Sequence, residues 1–251
     1  MAKKKIEVIN DLLGYEGLKI IQRPDIFNFS LDSTILADFV TINKSDKTII
    51  DMGCGNGYIP IFLTLRTNAM ITGIEIQEEI YDLAIRSVEL NNLQDRINIY
   101  NLDLKEAHKI LGTSIANVVT CNPPYFKYQD DSLVNTNDIK TIARHEVKLN
   151  LEDVVIASKY ILKNGGTFAM VHRPDRMIEI INLMQKYGIE PKRMRLVYPK
   201  MRKESNILLI EGIKNGKIGL KVLSPLYIHN EDGSYVDEIK EMFGGNEDVA
   251  E

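Results

Sequence analysis

The sequence predicts an α/β protein with a mostly parallel sheet and helices on both of its faces. From Lys47 onward, short runs rich in β-branched residues alternate with stretches of helical periodicity, the pattern of βαβ units. A glycine-rich turn directly follows the first of these runs. The last two runs are separated only by residues 199–205, which is too short for a crossover and predicts an antiparallel pair.

Seven strands and four core helices account for this pattern. The predicted strands are residues 48–52, 70–76, 97–101, 116–121, 167–172, 193–198 and 206–213. The predicted helices are residues 58–65, 78–91, 151–162 and 175–187. Asn150 is expected to cap the third helix, because its side chain can accept from a first-turn amide. A predicted helix therefore separates consecutive strands everywhere except between the third and fourth strands and between the last two.

Three segments are expected along the chain. Residues 1–46 form an N-terminal segment whose Ser30 and Asp32 precede apolar Ile35 and Leu36, which indicates a capped helix packed on the core. Residues 47–214 form the central domain. Residues 215–251 hold a hairpin signal, Asp232-Gly233, and an acidic tail expected to be disordered from about residue 244.

Composition narrows the class of protein. A chain of 251 residues with 44% hydrophobic and 26% charged residues fits one globular domain with appendages and excludes wholesale disorder. Cys54 and Cys121 cannot make a disulfide scaffold and are expected to be free thiols, and four histidines leave little for a metal site. No apolar run reaches the ~18 residues of a spanning helix, and residues 1–5 lack the apolar stretch of a signal peptide. We therefore expect a cytoplasmic protein without a membrane partner.

The net charge of -4 argues against a protein that coats nucleic acid indiscriminately. A local basic patch nevertheless exists near the last two predicted strands. Its candidate RNA-binding residues are Lys192, Arg193, Arg195, Lys200, Arg202 and Lys203. Such a run is either a track for phosphates or only a solvated face, and the charges alone leave both interpretations open.

A first candidate site lies where three of the predicted strands end. Asp51 begins a turn that contains Gly53, Gly55 and Gly57, and glycines there let the backbone approach a ligand. The dinucleotide fingerprint requires glycine at the position of Tyr58, so a nicotinamide cofactor is disfavoured. Carboxylates also follow the next two strands: Glu75 can accept hydrogen bonds from ribose hydroxyls, and Asp103 can meet an adenine amine. Together these features indicate a site for an adenosine without a pyrophosphate.

The most specific motif is Asn122-Pro123-Pro124-Tyr125, at the end of the fourth predicted strand. Two successive prolines remove two backbone donors and stiffen the chain beside the glycine turn. One interpretation of the motif is purely structural: it would only begin the loop that follows the strand. Its place at the carboxyl end of a central strand favours a catalytic role instead.

These motifs carry a resemblance to known families. The segment from Asp51 to Gly57, with Glu75, resembles the cofactor site of class I S-adenosylmethionine-dependent methyltransferases, and Asn-Pro-Pro-Tyr resembles the motif of their amino-methylating branch. The flanking residues 23–33 and 143–146 resemble the bacterial valine-tRNA adenine-N6 methyltransferases, and the similarity runs from about residue 12 to residue 214. The resemblance implies a Rossmann-like seven-stranded methyltransferase sheet with an antiparallel last strand.

The resemblance also implies roles for the site residues. S-adenosyl-L-methionine would be the cofactor and a tRNA adenine the target, with no obligate protein partner. Asn122 and the Pro123 carbonyl would accept the hydrogens of the target amine, and Tyr125 would stack on the target ring. The residues implied to bind the cofactor are Asp51, Gly53 and Gly55 at its methionine part, Glu75 at the ribose, and Asp103, Ile76 and Leu104 at the adenine.

Three alternatives remain at this point. Release-factor glutamine methyltransferases carry the same Asn-Pro-Pro-Tyr, but they place a helical domain before the cofactor motif, for which residues 1–46 are too few. DNA adenine methylation would need a separate target-recognition domain, which the sequence does not suggest. An RNA-binding module without turnover would have no reason to keep Asp51, Glu75 and Asn122 together.

Overall fold

The structure is a computed structural model that describes residues 6–12, 15–25, 31–123 and 150–244. The described strands are β1 (Val8–Leu12), β2 (Tyr15–Gln22), β3 (Thr48–Met52), β4 (Met70–Glu75), β5 (Ile97–Asn101), β6 (Ala116–Cys121), β7 (Leu162–His172), β8 (Ile189–Lys200), β9 (Ile207–Lys214), β10 (Lys221–Val222) and β11 (Leu226–His229). The described helices are α1 (Leu31–Phe39), α2 (Tyr58–Leu63), α3 (Glu78–Leu90), α4 (Ala107–Ile110), α5 (Leu151–Ile161), α6 (Met177–Lys186) and α7 (Asp237–Met242).

The central sheet confirms the predicted α/β class and its seven strands. Those strands, β3 to β9, lie in the order β5-β4-β3-β6-β7-β9-β8. All neighbours from β5 to β7 pair in parallel, and β9 is antiparallel to both β7 and β8. Because β8 then runs in the same direction as β6, its carboxyl end lies at the same edge of the sheet as the ends of β3, β4 and β6.

Helices cover both faces of the sheet. On one face of the sheet, α1, α2 and α7 pack against β3, β6 and β7. The cluster there includes Ile49, Val118 and Ile61. On the other face, α5 and α6 pack around Ile50, Val119 and others. The strand positions alternate between the two faces, so Asp51 and Thr120 lie on the α1 face. This alternation decides which polar side chains can meet at the strand ends.

One predicted strand end and one unpredicted unit differ from the sequence analysis. The chain before α1 forms a β1–β2 hairpin that packs on α3, where the Ile21 amide donates to Ser87 Oγ at 3.1 Å. Strand β7 begins at Leu162, before the two glycines that were expected to precede it. Asn150 does cap α5, through a reciprocal capping box with Asp153. Helix α1 confirms the predicted N-terminal helix, and its predicted capping residue Ser30 lies outside the described residues.

At Asp232-Gly233, where a hairpin is predicted, the chain makes a short antiparallel turn. His229 and Tyr235 form an antiparallel bridge, and the Val236 amide donates to the Ile228 carbonyl at 3.0 Å. Strands β10 and β11, which precede this turn, pair in parallel with β8 and extend the sheet beyond its seven strands. They satisfy backbone groups at the edge of β8 that would otherwise be unpaired. Along the described residues, no helix is long and apolar enough to cross a membrane.

Candidate active site

The glycine turn after β3 has a left-handed backbone at three positions. Gly53, Gly55 and Gly57 have φ values of 70°, 57° and 89°, a region that other residues rarely adopt. The amides of Gly53 and Cys54 donate to the carbonyl of Ile74 at 2.8 and 2.9 Å. The turn is therefore fastened to the end of β4, and its remaining backbone is exposed at the carboxyl edge of the sheet.

Gly73, inside β4, is a residue of this turn that sequence reasoning missed. A Cβ built there would lie 2.7 Å from the Cys54 sulfur and 2.7 Å from Ile99 Cδ1, so only glycine lets the turn rest on the strand. The available signal was a glycine in the interior of a β-branched run, which often marks a close backbone approach.

The Asp51 carboxyl group is fully buried at the end of β3. Its Oδ1 accepts a hydrogen bond of 2.6 Å from Thr120 Oγ1, and its Oδ2 has no hydrogen-bond partner among the described residues. Burial raises the pKa of Asp51 to about 7, the Thr120 hydroxyl opposes the rise, and the negative charge of Glu75 adds to it.

The Glu75 carboxylate accepts hydrogen bonds from backbone amides of the glycine turn and of the residues after β4. Oε2 accepts from the Gly55 amide at 3.2 Å, and Oε1 accepts from the Gln77 amide at 2.8 Å. Burial raises the pKa of Glu75, and these amide donors partly offset the rise. Neither Glu75 nor Asp51 has a cationic side chain within ion-pair distance in the described part of the chain. The site thus contains two buried carboxyl groups and no cationic side chain, among the described residues, that would neutralise them.

The residues predicted at the adenine differ in exposure. Ile76 is 39% exposed directly after β4, which leaves its side chain available to a ligand. Asp103 is partly exposed, and its Oδ1 accepts from the Lys105 amide at 2.9 Å. Leu104 is only 6% exposed and packs in the core with α5, so it offers less surface than predicted.

Asn122 follows β6 on the side of the sheet that α1 covers. Its Nδ2 donates a hydrogen bond of 3.1 Å to Ser33 Oγ, in the first turn of α1. Pro123 is buried behind it. Tyr125, the third predicted catalytic residue, lies outside the described residues. The Ser33 contact was not predicted, because it joins two segments that are distant in the sequence.

Both cysteines are free thiols, as predicted. Cys54 and Cys121 are buried, and burial raises the pKa of each thiol. They pack as small apolar groups beside the turn and at the end of β6.

Three of the six predicted RNA-binding cations contact other groups of the protein. Arg193 pairs with Glu211 at 3.0 Å and lies over the Phe39 ring. Arg195 pairs with Glu238 of α7. Lys192 donates to the Lys217 carbonyl at 2.9 Å. A strand alternates its side chains between faces, so a run of cations in sequence does not form one surface.

The remaining predicted cations, Lys200, Arg202 and Lys203, are exposed at the tip of the β8–β9 hairpin, and within the described ranges the structure records no ion pair for them. Arg202 has a left-handed φ of 61°. Beside the tip lies a cavity of about 790 Å³ lined by Pro199, Lys200, Lys203, Glu204, His229 and Gly233. The hairpin tip is therefore the basic surface that the patch provides.

The strand register places this tip relative to Asn122. Met194 of β8 is level with Cys121, through the pairs with Ile210 and Met170. The tip extends roughly 20 Å farther along the strand direction and lies about 14 Å to the side, at 3.3 Å per residue and 4.8 Å per strand. The tip and Asn122 thus lie at the same edge of the sheet, roughly 20 to 25 Å apart.

Comparison with protein families finds one matching model. The methyltransferase small domain matches residues 18–188, which include α1, the glycine turn and the Asn122 motif.

Curated bacterial relatives match over most of their length. A protein named tRNA1(Val) (adenine(37)-N6)-methyltransferase from Flavobacterium psychrophilum is 24% identical over 217 residues, covering 80% of this chain and 91% of its own. A protein of the same name from Dyadobacter fermentans is 26% identical over 204 residues, covering 80% of this chain and 82% of its own.

Solved structures share the fold. A predicted O-methyltransferase from Agrobacterium tumefaciens superposes with a TM-score of 0.67 at 22% identity, covering 85% of this chain and 96% of its own. The TYW2 protein of Pyrococcus horikoshii, solved in complex with MeSAdo, has a TM-score of 0.60 at 14% identity, covering 85% of this chain and 73% of its own. At these identities the likeness shows the architecture of the sheet.

Proposed function

The chain belongs to the methyltransferase small domain family, and from this premise we propose that it methylates the exocyclic N6 amine of an adenine in tRNA. The methyl donor is S-adenosyl-L-methionine. The observation that carries the proposal is that Asn122, directly after β6, and the buried carboxyl groups of Asp51 and Glu75, at the ends of β3 and β4, lie at the same edge of three neighbouring strands. The relatives' names support tRNA as the substrate, and because tRNA is found in the bacterial cytoplasm, we propose that the protein acts there.

The buried charges suit this cofactor. When bound, S-adenosyl-L-methionine supplies an electrophilic methyl group on a positively charged sulfur, and its methionine part carries an ammonium group. Asp51 and Glu75 have raised pKa values and no cationic partner in the described chain, so a cation over the glycine turn would stabilise both carboxylates. A pyrophosphate would meet repulsion here instead.

Residues at different strand ends would contact different parts of the cofactor. We assign Gly53 and Gly55 to the methionine part, because their backbone lies open without a Cβ. Glu75 would accept from the ribose hydroxyls while it keeps the Gly55 amide in place. Asp103 and Ile76 would border the adenine, one as an acceptor for its amine and the other as an exposed apolar wall.

Asn122 and Pro123 would activate the target amine. The nitrogen of an adenine amine is a poor nucleophile because its lone pair is delocalised into the ring. Two oxygen acceptors, Asn122 Oδ1 and the Pro123 carbonyl, draw its two hydrogens and turn the lone pair toward the methyl group. These contacts strengthen as positive charge develops on the nitrogen, so they stabilise the transition state more than the bound substrate. Tyr125 would stack on the extruded base and offset part of the cost of unstacking it.

The hairpin tip would contact the RNA backbone outside the pocket. Its distance of roughly 20 to 25 Å from Asn122 spans several base pairs of an RNA stem. A target base in a loop would therefore bring the adjoining stem over Lys200, Arg202 and Lys203. Single-stranded loops cost the least to open, which favours a loop adenine as the target.

Nucleoside analysis tests the proposal. Unmodified bulk tRNA is incubated with the purified protein and S-adenosyl-L-methionine carrying a labelled methyl group, then digested and separated by chromatography with mass detection. We expect label in N6-methyladenosine and none in N1- or C2-methyladenosine. Release factors presented in parallel test the glutamine alternative. Label in a glutamine side chain, with none in RNA, would overturn the assignment. Cofactor binding without transfer to either acceptor would indicate a binding module.

A further inference from the structure

The geometry points to Ser33 as a positioning residue for the reaction: we propose that its hydroxyl fixes the orientation of the Asn122 amide. This inference rests on the proposed function, because it assigns a task to the group that Asn122 would serve. Ser33 lies in the first turn of α1, outside the segment that carries the Asn-Pro-Pro-Tyr motif. Its Oγ accepts a hydrogen bond of 3.1 Å from Asn122 Nδ2.

An asparagine amide has two faces of opposite character. The oxygen accepts hydrogens and the nitrogen donates them, and a half-turn about the last side-chain bond exchanges the two. If the Asn122 side-chain nitrogen faced the target amine, two hydrogen-bond donors would oppose each other. The amine nitrogen, which is the nucleophile, would then not be oriented. In the observed orientation Nδ2 donates to Ser33 Oγ, so Oδ1 lies on the opposite side of the amide, and the Ser33 contact holds the amide in that position.

Ser33 can hold this position because α1 is fastened to the core along its length. Thr34 Oγ1 is 2.8 Å from the buried Tyr58 hydroxyl on α2. Beyond the helix end, the Thr41 amide and hydroxyl donate to the carboxylate of Glu211 at 3.0 and 2.7 Å. These groups lie on different elements, so the first turn of α1 cannot shift without breaking buried contacts.

Further contacts fix the middle and the end of α1. Arg66 donates to the Ala37 carbonyl, and Arg193 donates to the Phe39 carbonyl while it pairs with Glu211. The pair of Arg193 with Glu211 thus supports the helix that carries Ser33. A catalytic side chain held by a fixed neighbour needs no reorganisation when substrate binds.

The test distinguishes a misoriented Asn122 amide from a destabilised protein. Ser33→Ala should lower kcat for tRNA by about 10- to 100-fold, the scale of a misplaced reacting group. The Kd of S-adenosyl-L-methionine should stay within twofold of the wild-type value, and Ser33→Thr, which keeps the hydroxyl, should restore most of kcat. Ser87→Ala is the matched control, because it removes a buried hydroxyl on α3, away from α1 and Asn122, which accepts a hydrogen bond from the Ile21 amide. It should lower the melting temperature while kcat stays within about threefold of wild type, the range of a change that leaves catalytic contacts in place.

A second readout does not depend on activity. The side-chain amide of Asn122, assigned by its absence from the NMR spectrum of Asn122→Ala, should shift and exchange faster with water in Ser33→Ala but not in Ser87→Ala. Wild-type kcat and an unchanged Asn122 signal in Ser33→Ala would overturn the inference, as would equal losses of kcat in both variants. A wild-type protein that methylates no RNA would instead overturn the proposed function, and the NMR comparison would still decide whether Ser33 orients Asn122.

Discussion

The Thr120 hydroxyl donates to the Asp51 carboxylate across the β3–β6 pair at 2.6 Å, and it is the one hydrogen bond that the described residues give to that buried side chain. Asp51 and Thr120 are direct partners in the register, so the contact is built into the sheet. The second oxygen is buried without a donor, which makes the ionised form costly. The ionised carboxylate therefore lowers the stability of the fold, which indicates that Asp51 is present for ligand binding and not for structural support.

Asp51→Asn should stabilise the cofactor-free protein at alkaline pH. The folded pKa of Asp51, about 7, lies above its ordinary value of 3.8, so its contribution to stability is present below pH ~4 and is lost as the pH rises to 7. Three pKa units correspond to about 4 kcal/mol, an upper bound for the gain. Denaturant unfolding of both proteins at pH 4 and pH 8 measures it. An equal difference at the two pH values would contradict the buried charge, and weaker cofactor binding by Asp51→Asn would mark its role.

Glu75→Gln should weaken cofactor binding more than it slows the reaction at saturation. The carboxylate accepts from the Gly55 and Gln77 amides, and an amide side chain has only one oxygen to serve both. We expect the Kd of S-adenosyl-L-methionine to rise by at least about tenfold, which is 1.4 kcal/mol. Calorimetry measures it, with Glu78→Gln on the exposed first turn of α3 as the control of equal charge. If both variants bind like wild type, Glu75 only supports the turn.

Asn122→Ala should lose turnover but keep the cofactor. Removing an acceptor that acts on charge developing in the transition state lowers kcat by at least ~100-fold. The cofactor affinity should not change, because its residues lie at the ends of β3, β4 and β5. Single-turnover methylation and calorimetry give the two quantities, and Asn164→Ala, at an exposed asparagine, provides the control. Near-normal turnover would remove Asn122 from the mechanism.

Replacing Lys200, Arg202 and Lys203 with glutamine should weaken tRNA binding and reduce its salt dependence. Each phosphate contact contributes about -0.7 to -0.9 to the slope of log affinity against log salt, so the slope should flatten by about 2. The control replaces Lys44, Lys47 and Lys217, exposed cations at the opposite edge of the sheet, with the same change in charge. Filter binding at several salt concentrations compares the two sets. Equal effects would mean that the tip is only a solvated surface.

Arg193 and Arg195 are left out of that set because their charges are paired within the fold. Breaking the pair between Arg193 and the buried Glu211 would leave a buried carboxylate without its partner and would confuse binding with stability. The sequence patch therefore divides into two parts, one that supports α1 and α7 and one that faces solvent.

The order of elements and the positions of the site residues were readable from the sequence. β-branched runs, the glycine turn and the capping box of Asn150 are local signals, and they fixed the strands β3 to β9 and the start of α5. The polar residues that end consecutive parallel strands share one edge by topology, so Asp51, Glu75 and Asn122 could be grouped in advance. The division into three segments and the roles at Asp103 and Leu104 stay predictions.

Tertiary structure decided what depends on distant segments meeting. The bond from Asn122 to Ser33, the closeness of Gly73 to Cys54, and the engagement of Arg193 and Arg195 each join parts of the chain that no local pattern relates. The pairing of β10 and β11 with the edge of β8 likewise joins segments that no local pattern relates. A sequence states which chemical groups are present and on which face of a strand they lie, whereas their partners are set by packing, since burial and hydrogen bonding are satisfied over the whole molecule at once.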